Sequence, residues 1–258
     1  MDFSYIVSGF AVGILVGLTG VGGGSLMTPL LTLLFGVAPT TAVGTDLAFA
    51  SITKGAGTIA HRYKGNVHWD IVKKLCLGAL PAALIATLAL KYLGGFDAQI
   101  NQFIRYSIGC SVLLTVVALL FRGRMLKWLK HHPEKQLQGS NLTIATITAG
   151  AVLGALVTIS SIGAGAIGAT LLVLMYPRLS PAEIAGTDIA YAVPLTAIAA
   201  IGHWWLGSIN WSLLLMLLIG SVPGITLGAM GSRAIPEKVL RALLATTLTG
   251  VAVKLLST

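Results

Sequence analysis

Two aspartates and one lysine stand where an apolar chain has least use for charge. Asp46 and Asp188 occupy matching strings, AVGTDLAFA (Ala42–Ala50) and IAGTDIAYA (Ile184–Ala192), and they are two of only eight carboxylates in the chain. A Thr-Asp pair near a helix start has two readings. One is an N-cap, in which Thr or Asp accepts backbone N–H bonds. The other is a proton or cation relay, a frequent use of carboxylates inside membranes. The hydroxyls of Thr45 and Thr187 could also donate to the oxygens of an anion, which an ionised carboxylate cannot do. Lys54 lies eight residues past Asp46 on the same apolar stretch, about two helical turns on. A lysine at a span centre costs about 2.5–3.5 kcal/mol, so either Asp46 pairs with it or it faces a solute. Its counterpart in the second half is Thr196, so a symmetric scaffold does not require the charge.

Two glycine-rich breaks accompany these residues. Gly9 to Leu31 read GFAVGILVGLTGVGGGSLMTPLL, and Gly150 to Leu172 read GAVLGALVTISSIGAGAIGATLL. A helix interrupted in lipid exposes backbone N–H and C=O groups, which only a protein cavity, water or a bound polar solute can satisfy. Half-helices starting near Gly24 and near Gly165 would aim free N–H groups and a positive dipole end at the break, where an anion gains about 0.3–1 kcal/mol. Glycine lets a solute approach the backbone, having no Cβ. Gly22, Gly23, Gly24 and Ser25, with Gly163 and Gly165, are therefore the candidate anion ligands, joined by Thr45, Lys54 and Thr187. The spacing Gly9-x-x-x-Gly13-x-x-x-Gly17 has a plainer use, close helix packing, and would permit a homodimer. His61 and His203 suit interfacial hydrogen bonding beside belt tryptophans 69, 204, 205 and 211. A proton-coupling role, shared with Asp46 and Asp188, is their second reading.

The elements that must position these groups are membrane helices. Of 258 residues 55% are hydrophobic and 10% charged, and the mean hydropathy is +0.89; a soluble domain carries about 25% charged residues. The first segment lacks a basic n-region and a cleavage site, which makes it a retained helix rather than a signal peptide. Apolar segments run over 3–35, 40–61, 69–93, 98–121, 141–176, 181–205, 211–233 and 236–256, each long enough to cross a core about 30 Å thick. The first and fifth are 33 and 36 residues, or about 50 to 54 Å as straight helix, too long for one crossing. Pro81, Pro194 and Pro223 mark kinks. Cys76 and Cys110 read as small hydrophobes, since neither has metal-ligand spacing. No zinc-protease, nucleophile-elbow or phosphate-loop pattern occurs, so no enzyme, metal site or cofactor is expected.

The chain is duplicated. Besides the paired strings, His61, Gly65 and Trp69 answer His203, Gly207 and Trp211, and Gly78-x-x-Pro81 answers Gly220-x-x-Pro223. The offset is 141 residues at the glycine breaks and 142 beyond them. Duplication with paired helix breaks is the pattern of a transporter whose site lies between two repeats. This reading divides one membrane domain, 1–258, into repeat 1 (1–121), a basic linker (122–140) and repeat 2 (141–258). The linker cluster of Arg122, Arg124, Lys127, Lys130 and Lys135 marks a cytoplasmic loop near anionic lipid, not a nucleic-acid surface. If each long segment is a hairpin, the halves are inverted and thirteen of the fifteen basic residues outside spans share the linker side. If each is one broken crossing, the halves are parallel and the division is ten to five. The charge rule favours inverted repeats with both termini outside.

The string Gly17-Leu18-Thr19-Gly20-Val21-Gly22-Gly23-Gly24, then Pro29 and Ala42-Val43-Gly44-Thr45, resembles the TauE/SafE family of sulfite and organosulfonate exporters. Gly163-x-Gly165 and Ala185-Gly186-Thr187 look like that family's second half. Here the second repeat replaces Gly17, Gly20, Gly23 and Pro29 by Thr158, Ser161, Ala164 and Thr170, so a site built by both tips would be asymmetric. The resemblance implies an inner-membrane secondary transporter of a small anion, sulfite or an organosulfonate first, working by alternating access without a cofactor. An anion channel and a non-transporting membrane scaffold are the alternatives.

Overall fold

Glycine and proline punctuation cuts the apolar chain into helices, and the computed structural model describes residues 3–19, 24–93, 98–131, 136–231 and 237–257. The helices are α1 (Phe3–Thr19), α2 (Gly24–Leu34), α3 (Pro39–Tyr63), α4 (Trp69–Tyr92), α5 (Ala98–His131), α6 (Gly139–Ser160), α7 (Ala166–Met175), α8 (Pro181–Trp205), α9 (Trp211–Gly231) and α10 (Glu237–Ser257). No strand occurs among the described residues. Five of these helices, α4, α5, α6, α8 and α9, are long and apolar enough to cross a bilayer. α3 has the length, but its middle carries Asp46, Lys54 and a run of small polar residues. Ala42 to Ala50 of α3 are all buried, so neighbouring helices rather than lipid receive that polar content.

Both long segments are divided. α6 ends at Ser160, and Ser161 closes it in the left-handed region (φ 59°) with its N–H on the Val157 carbonyl. α7 starts after Gly165, whose φ of 130° suits glycine alone. In the first half α1 stops at Thr19 and α2 opens at Gly24. Gly20, Gly22 and Gly23 lie outside the described residues, as does the side chain of Ser25. α8 starts with Pro181 behind a capping box, in which Ser180 and Glu183 exchange side chain-to-backbone bonds. α3 starts at Pro39 after Ala38. Asp46 and Asp188 therefore stand two turns inside continuous helices and cap neither. Pro81, Pro194 and Pro223 lie inside α4, α8 and α9 without dividing them.

Glycine sets the packing between halves, and the contacts come in matched pairs. Gly9 of α1 sits against the Leu217 backbone of α9, and Gly13 against Ser221. The residues answering them, Gly150 and Gly154 of α6, sit against Leu75 and Ala79 of α4, which answer Leu217 and Ser221. In return Gly220 meets Ile6 and Phe10, and Gly78 meets Ile147 and Ala151. Both pairs run parallel, and the Gly9–Gly13 stripe is spent inside the chain rather than on a second copy. α3 and α8 run antiparallel: Gly44 lies on His203 and Ser208, Gly57 on Ile189, and Gly186 on Asn66 and His61. Leu and Ile side chains such as Ile85, Leu120 and Ile219 face outward, 61–67% exposed, a surface suited to lipid.

Candidate functional site

The α6–α7 break is held against α3 by polar contacts buried in the bundle. Asp46 is fully buried, and its Oδ2 accepts hydrogen bonds from Thr28 Oγ1 of α2 at 2.5 Å and from Ser161 Oγ at 2.9 Å. One carboxylate oxygen thus ties α2, α3 and the break together. Inside the break Ile162 N–H donates to Ser160 Oγ at 3.2 Å, and Gly168 N–H reaches back to the Gly163 carbonyl at 2.9 Å. Of the four opening amides of α7, those of Gly168 and Ala169 are taken by the Gly163 and Gly165 carbonyls, and those of Ala166 and Ile167 have no intrahelical carbonyl to meet.

Two turns along α3, Lys54 is 7% exposed and donates from Nζ to the Ala164 carbonyl at 3.0 Å. Sequence reasoning left it to pair with Asp46 or to face a solute; its direct partner is the break itself. The His68–Glu183 ion pair lies apart from it, at the first turn of α8. The Lys54 charge nonetheless acts on both Asp188 and Asp46. Asp188 is 3% exposed and faces Gly168 of α7, beside the hydroxyl of fully buried Tyr191. Asp46, Lys54 and Asp188 therefore surround the same broken segment, from α3 on one side and α8 on the other.

Thr45 and Thr187 are placed apart. Thr45 Oγ1 accepts the Asn210 N–H at 3.1 Å, tying the start of α3 to the α8–α9 turn. Thr187 Oγ1 accepts the His68 N–H at the same distance, tying the start of α8 to the α3–α4 turn. These turns lie at opposite ends of the antiparallel α3–α8 pair, so the two hydroxyls do not share a pocket. His203 is fully buried; its Nε2–H donates to the Thr158 carbonyl at 2.9 Å and its Nδ1 meets Ser208 Oγ at 2.9 Å. His61 sits against Gly186 near the other turn, with Nδ1 buried and lacking a partner among the described residues. The tryptophans 69, 204, 205 and 211 are 44–60% exposed, and Lys91 lies 3.4 Å over the Trp205 ring.

Gly163 and Gly165 form the described break directly, and Gly24 opens α2. Gly22 and Gly23 lie outside the described residues, so the first break has no geometry here. Sequence reasoning missed Thr28, Ser161 and Tyr191. Ser161 stood out only as the residue opposite Gly20, and Tyr191 as the residue opposite Phe49. No group of three or more His, Cys, Asp or Glu among the described residues could hold a metal ion.

The family model for sulfite exporter TauE/SafE matches residues 5–255. "Probable membrane transporter protein YjnA" of Bacillus subtilis (strain 168) is 34% identical over 229 residues, 89% of either chain. "Probable membrane transporter protein YdhB" of the same strain is 28% identical over 242 residues, 90% of this chain and 91% of that one. A "Probable membrane transporter protein" of Xylella fastidiosa (strain Temecula1 / ATCC 700964) is 28% identical over 235 residues. No solved structure matches the chain.

Proposed function

Because the chain belongs to the TauE/SafE family of membrane transporters, we propose that it carries a small anion, sulfite or an organosulfonate first, by alternating access at the broken segments. The observation behind this reading is Lys54. A cation 7% exposed and hydrogen-bonded to the break is attracted by Asp188 and Asp46 only from beyond ion-pair distance, and a negative solute would supply the direct partner that a buried charge requires. The α7 amides add a second favourable field for such a solute. Gly163, Gly165 and Lys54 form the described half of the site; Gly22, Gly23, Gly24 and Ser25 are its proposed other half. Thr45 and Thr187 enter the proposal as latches at the two ends, which open in turn as the site faces one side and then the other. The coupling ion is a proton, with Asp46, Asp188, His61 and His203 its candidate carriers.

We infer further that residues 1–121 and 141–258 are inverted repeats around the 122–140 linker. The antiparallel run of the equivalent helices α3 and α8 supports this, since parallel repeats would align them. With the linker in the cytoplasm, the protein sits in the inner membrane with both termini outside.

The test is thermal stability of the purified protein across sulfite, sulfate, thiosulfate, sulfoacetate, taurine and carboxylate controls. An anion at 100 times its dissociation constant adds about 2.7 kcal/mol, and Lys54→Met abolishes that gain. A protein that no anion stabilises overturns the anion reading. Saturable flux into proteoliposomes separates a transporter from a channel.

A further inference from the structure

α5 carries a cavity at its start and a groove down its side, and the two meet at Tyr106. The cavity, about 610 Å³, opens between the α2–α3 connection, the first turns of α5 and the last turn of α10. Its polar lining includes Asn101, Gln102, Arg105 and Lys254, and its volume falls in the range of about 300–1,000 Å³ usual for small-molecule sites. The groove, about 370 Å³, lies between α5 and α6 and is lined by Phe103, Tyr106, Cys110 and Leu114 with Leu156 and Ile159. Gln102 Nε2 donates to Tyr106 Oη at 3.4 Å, and Arg105 Cζ stands 5.7 Å from the Tyr106 ring. Cavity and groove are therefore neighbours.

Charge and depth say what fits them. Among the described residues two cations and no carboxylate line the cavity. Arg105 is half-buried, and its Nε has no hydrogen-bond partner among the described residues, so protein does not fully meet this guanidinium. α5 is long and apolar enough to cross a bilayer and carries Arg122 and Arg124 at its other end. The cavity thus lies on the face opposite the basic linker, with Arg105 about two turns past Ala98. From Phe103 to Leu114 the groove follows about 16 Å of helix, against about 15 Å for one leaflet of the hydrocarbon core. Phe103, Tyr106 and Leu114 are 41–49% exposed along it, an apolar surface that an acyl chain suits. A phosphate or a sulfonate group would match the cavity alone. The adjoining groove favours a phosphate carried on acyl chains.

We propose that cavity and groove together hold one anionic phospholipid, its phosphate between Arg105 and Lys254 and one acyl chain along α5. Arg105 supplies a planar fork that matches two phosphate oxygens, and Lys254 a point charge. The site is separate from the α6–α7 break, and the inference stands whichever solute the break takes.

The experiment measures lipid binding to the full-length purified protein in detergent by native mass spectrometry, with dioleoylphosphatidylglycerol and dioleoylphosphatidylcholine as probes. Phosphatidylglycerol binds about tenfold tighter than phosphatidylcholine, and Arg105→Gln or Lys254→Gln each removes most of that difference. Lys91→Gln, which removes a cation held over Trp205 outside the cavity, leaves it unchanged. Cys110→Trp fills the groove and weakens both lipids. Lys254 and Cys110 are exposed, so neither of these variants disturbs the core. Lys54→Met binds lipid as the parent does, which keeps this result apart from the anion reading above.

Equal affinity for the two lipids, or a preference that survives both cavity substitutions, overturns the inference. So does sulfate, or glycerophosphoglycerol without acyl chains, binding the cavity as tightly as the lipid, because the ligand is then a soluble anion. Asp97 precedes Ala98 and lies outside the described residues. A lipid preference that emerges only in Asp97→Asn also overturns the proposal, since that carboxylate then holds the two cations.

Discussion

Alanine at Gly78 and at Gly220 tests the duplicated architecture at two places with one expectation. A Cβ on Gly78 would overlap the Ile147 carbonyl and lie 2.7 Å from Ala151 N; a Cβ on Gly220 would overlap the Ile6 carbonyl and lie 2.8 Å from Phe10 N. Ordinary contact begins at 3.4 Å, so clearing the two carbonyl oxygens requires each helix pair to part by about 1.4–1.5 Å, against atoms that are backbone and cannot rotate away. Overpacking of this kind costs about 1–3 kcal/mol, and alanine's better helix propensity returns at most about 1 kcal/mol. Gly250, with nothing within 4 Å, supplies the control, where alanine is neutral or stabilising by up to about 1 kcal/mol. At about 2–4 °C per kcal/mol for a chain of this size, each of the first two variants melts several degrees lower in detergent. The Gly78 and Gly220 shifts should agree to within about 1 kcal/mol, since the two sites make equivalent contacts. Two alanine variants that melt like the parent would refute the close packing. A large loss at one and none at the other would refute the equivalence of α4–α6 and α1–α9.

Other expectations concern the polar contacts. Thr28→Val and Ser161→Ala each remove a donor to a buried carboxylate and cost about 1.5–3 kcal/mol; because both act on Asp46 Oδ2, a double-mutant cycle in thermal melts shows non-additivity, and full additivity would separate the two bonds. Thr45→Val and Thr187→Val each strand one backbone amide at about 1–3 kcal/mol, read as faster hydrogen exchange at Asn210 in the first and at His68 in the second, with no cross effect.

How much of this was legible in the sequence differs by kind of contact. The helix ends were, because Gly, Pro and Ser-Pro punctuation acts locally: α2 opens at Gly24, α7 follows Gly165, and α8 opens at Pro181. The function of the Thr-Asp pairs was not. A local string cannot tell that Thr45 will meet Asn210, 165 residues away, or that Asp46 will take its donors from Thr28 and Ser161. The capping alternative fell because the helices start seven residues earlier, at Pro39 and Pro181, where a proline and an extended residue before it already form the end. Lys54 was legible as an anomaly, since any buried cation is, but its carbonyl partner in the other half depends on how α3 meets the break.

The two halves agree where backbone meets backbone and differ where side chains carry charge. Gly9 and Gly150, Gly13 and Gly154, and Gly78 and Gly220 make the same approaches in both halves, and Thr45 and Thr187 tie equivalent turns at opposite ends. Lys54 faces Thr196, Ser161 faces Gly20, and Tyr191 faces Phe49 across the duplication. Alternating access, as proposed, rocks one repeat against the other, and matched glycine contacts between the halves suit that proposal. A small anion needs the opposite. In the proposed site it would meet one lysine and one set of helix amides, and a second lysine would leave a buried charge with no partner. The buried charges gather around the α6–α7 break, and on the proposed reading Lys54→Met should lower solute binding at unchanged fold, whereas alanine at Gly78 or Gly220 should first lower stability.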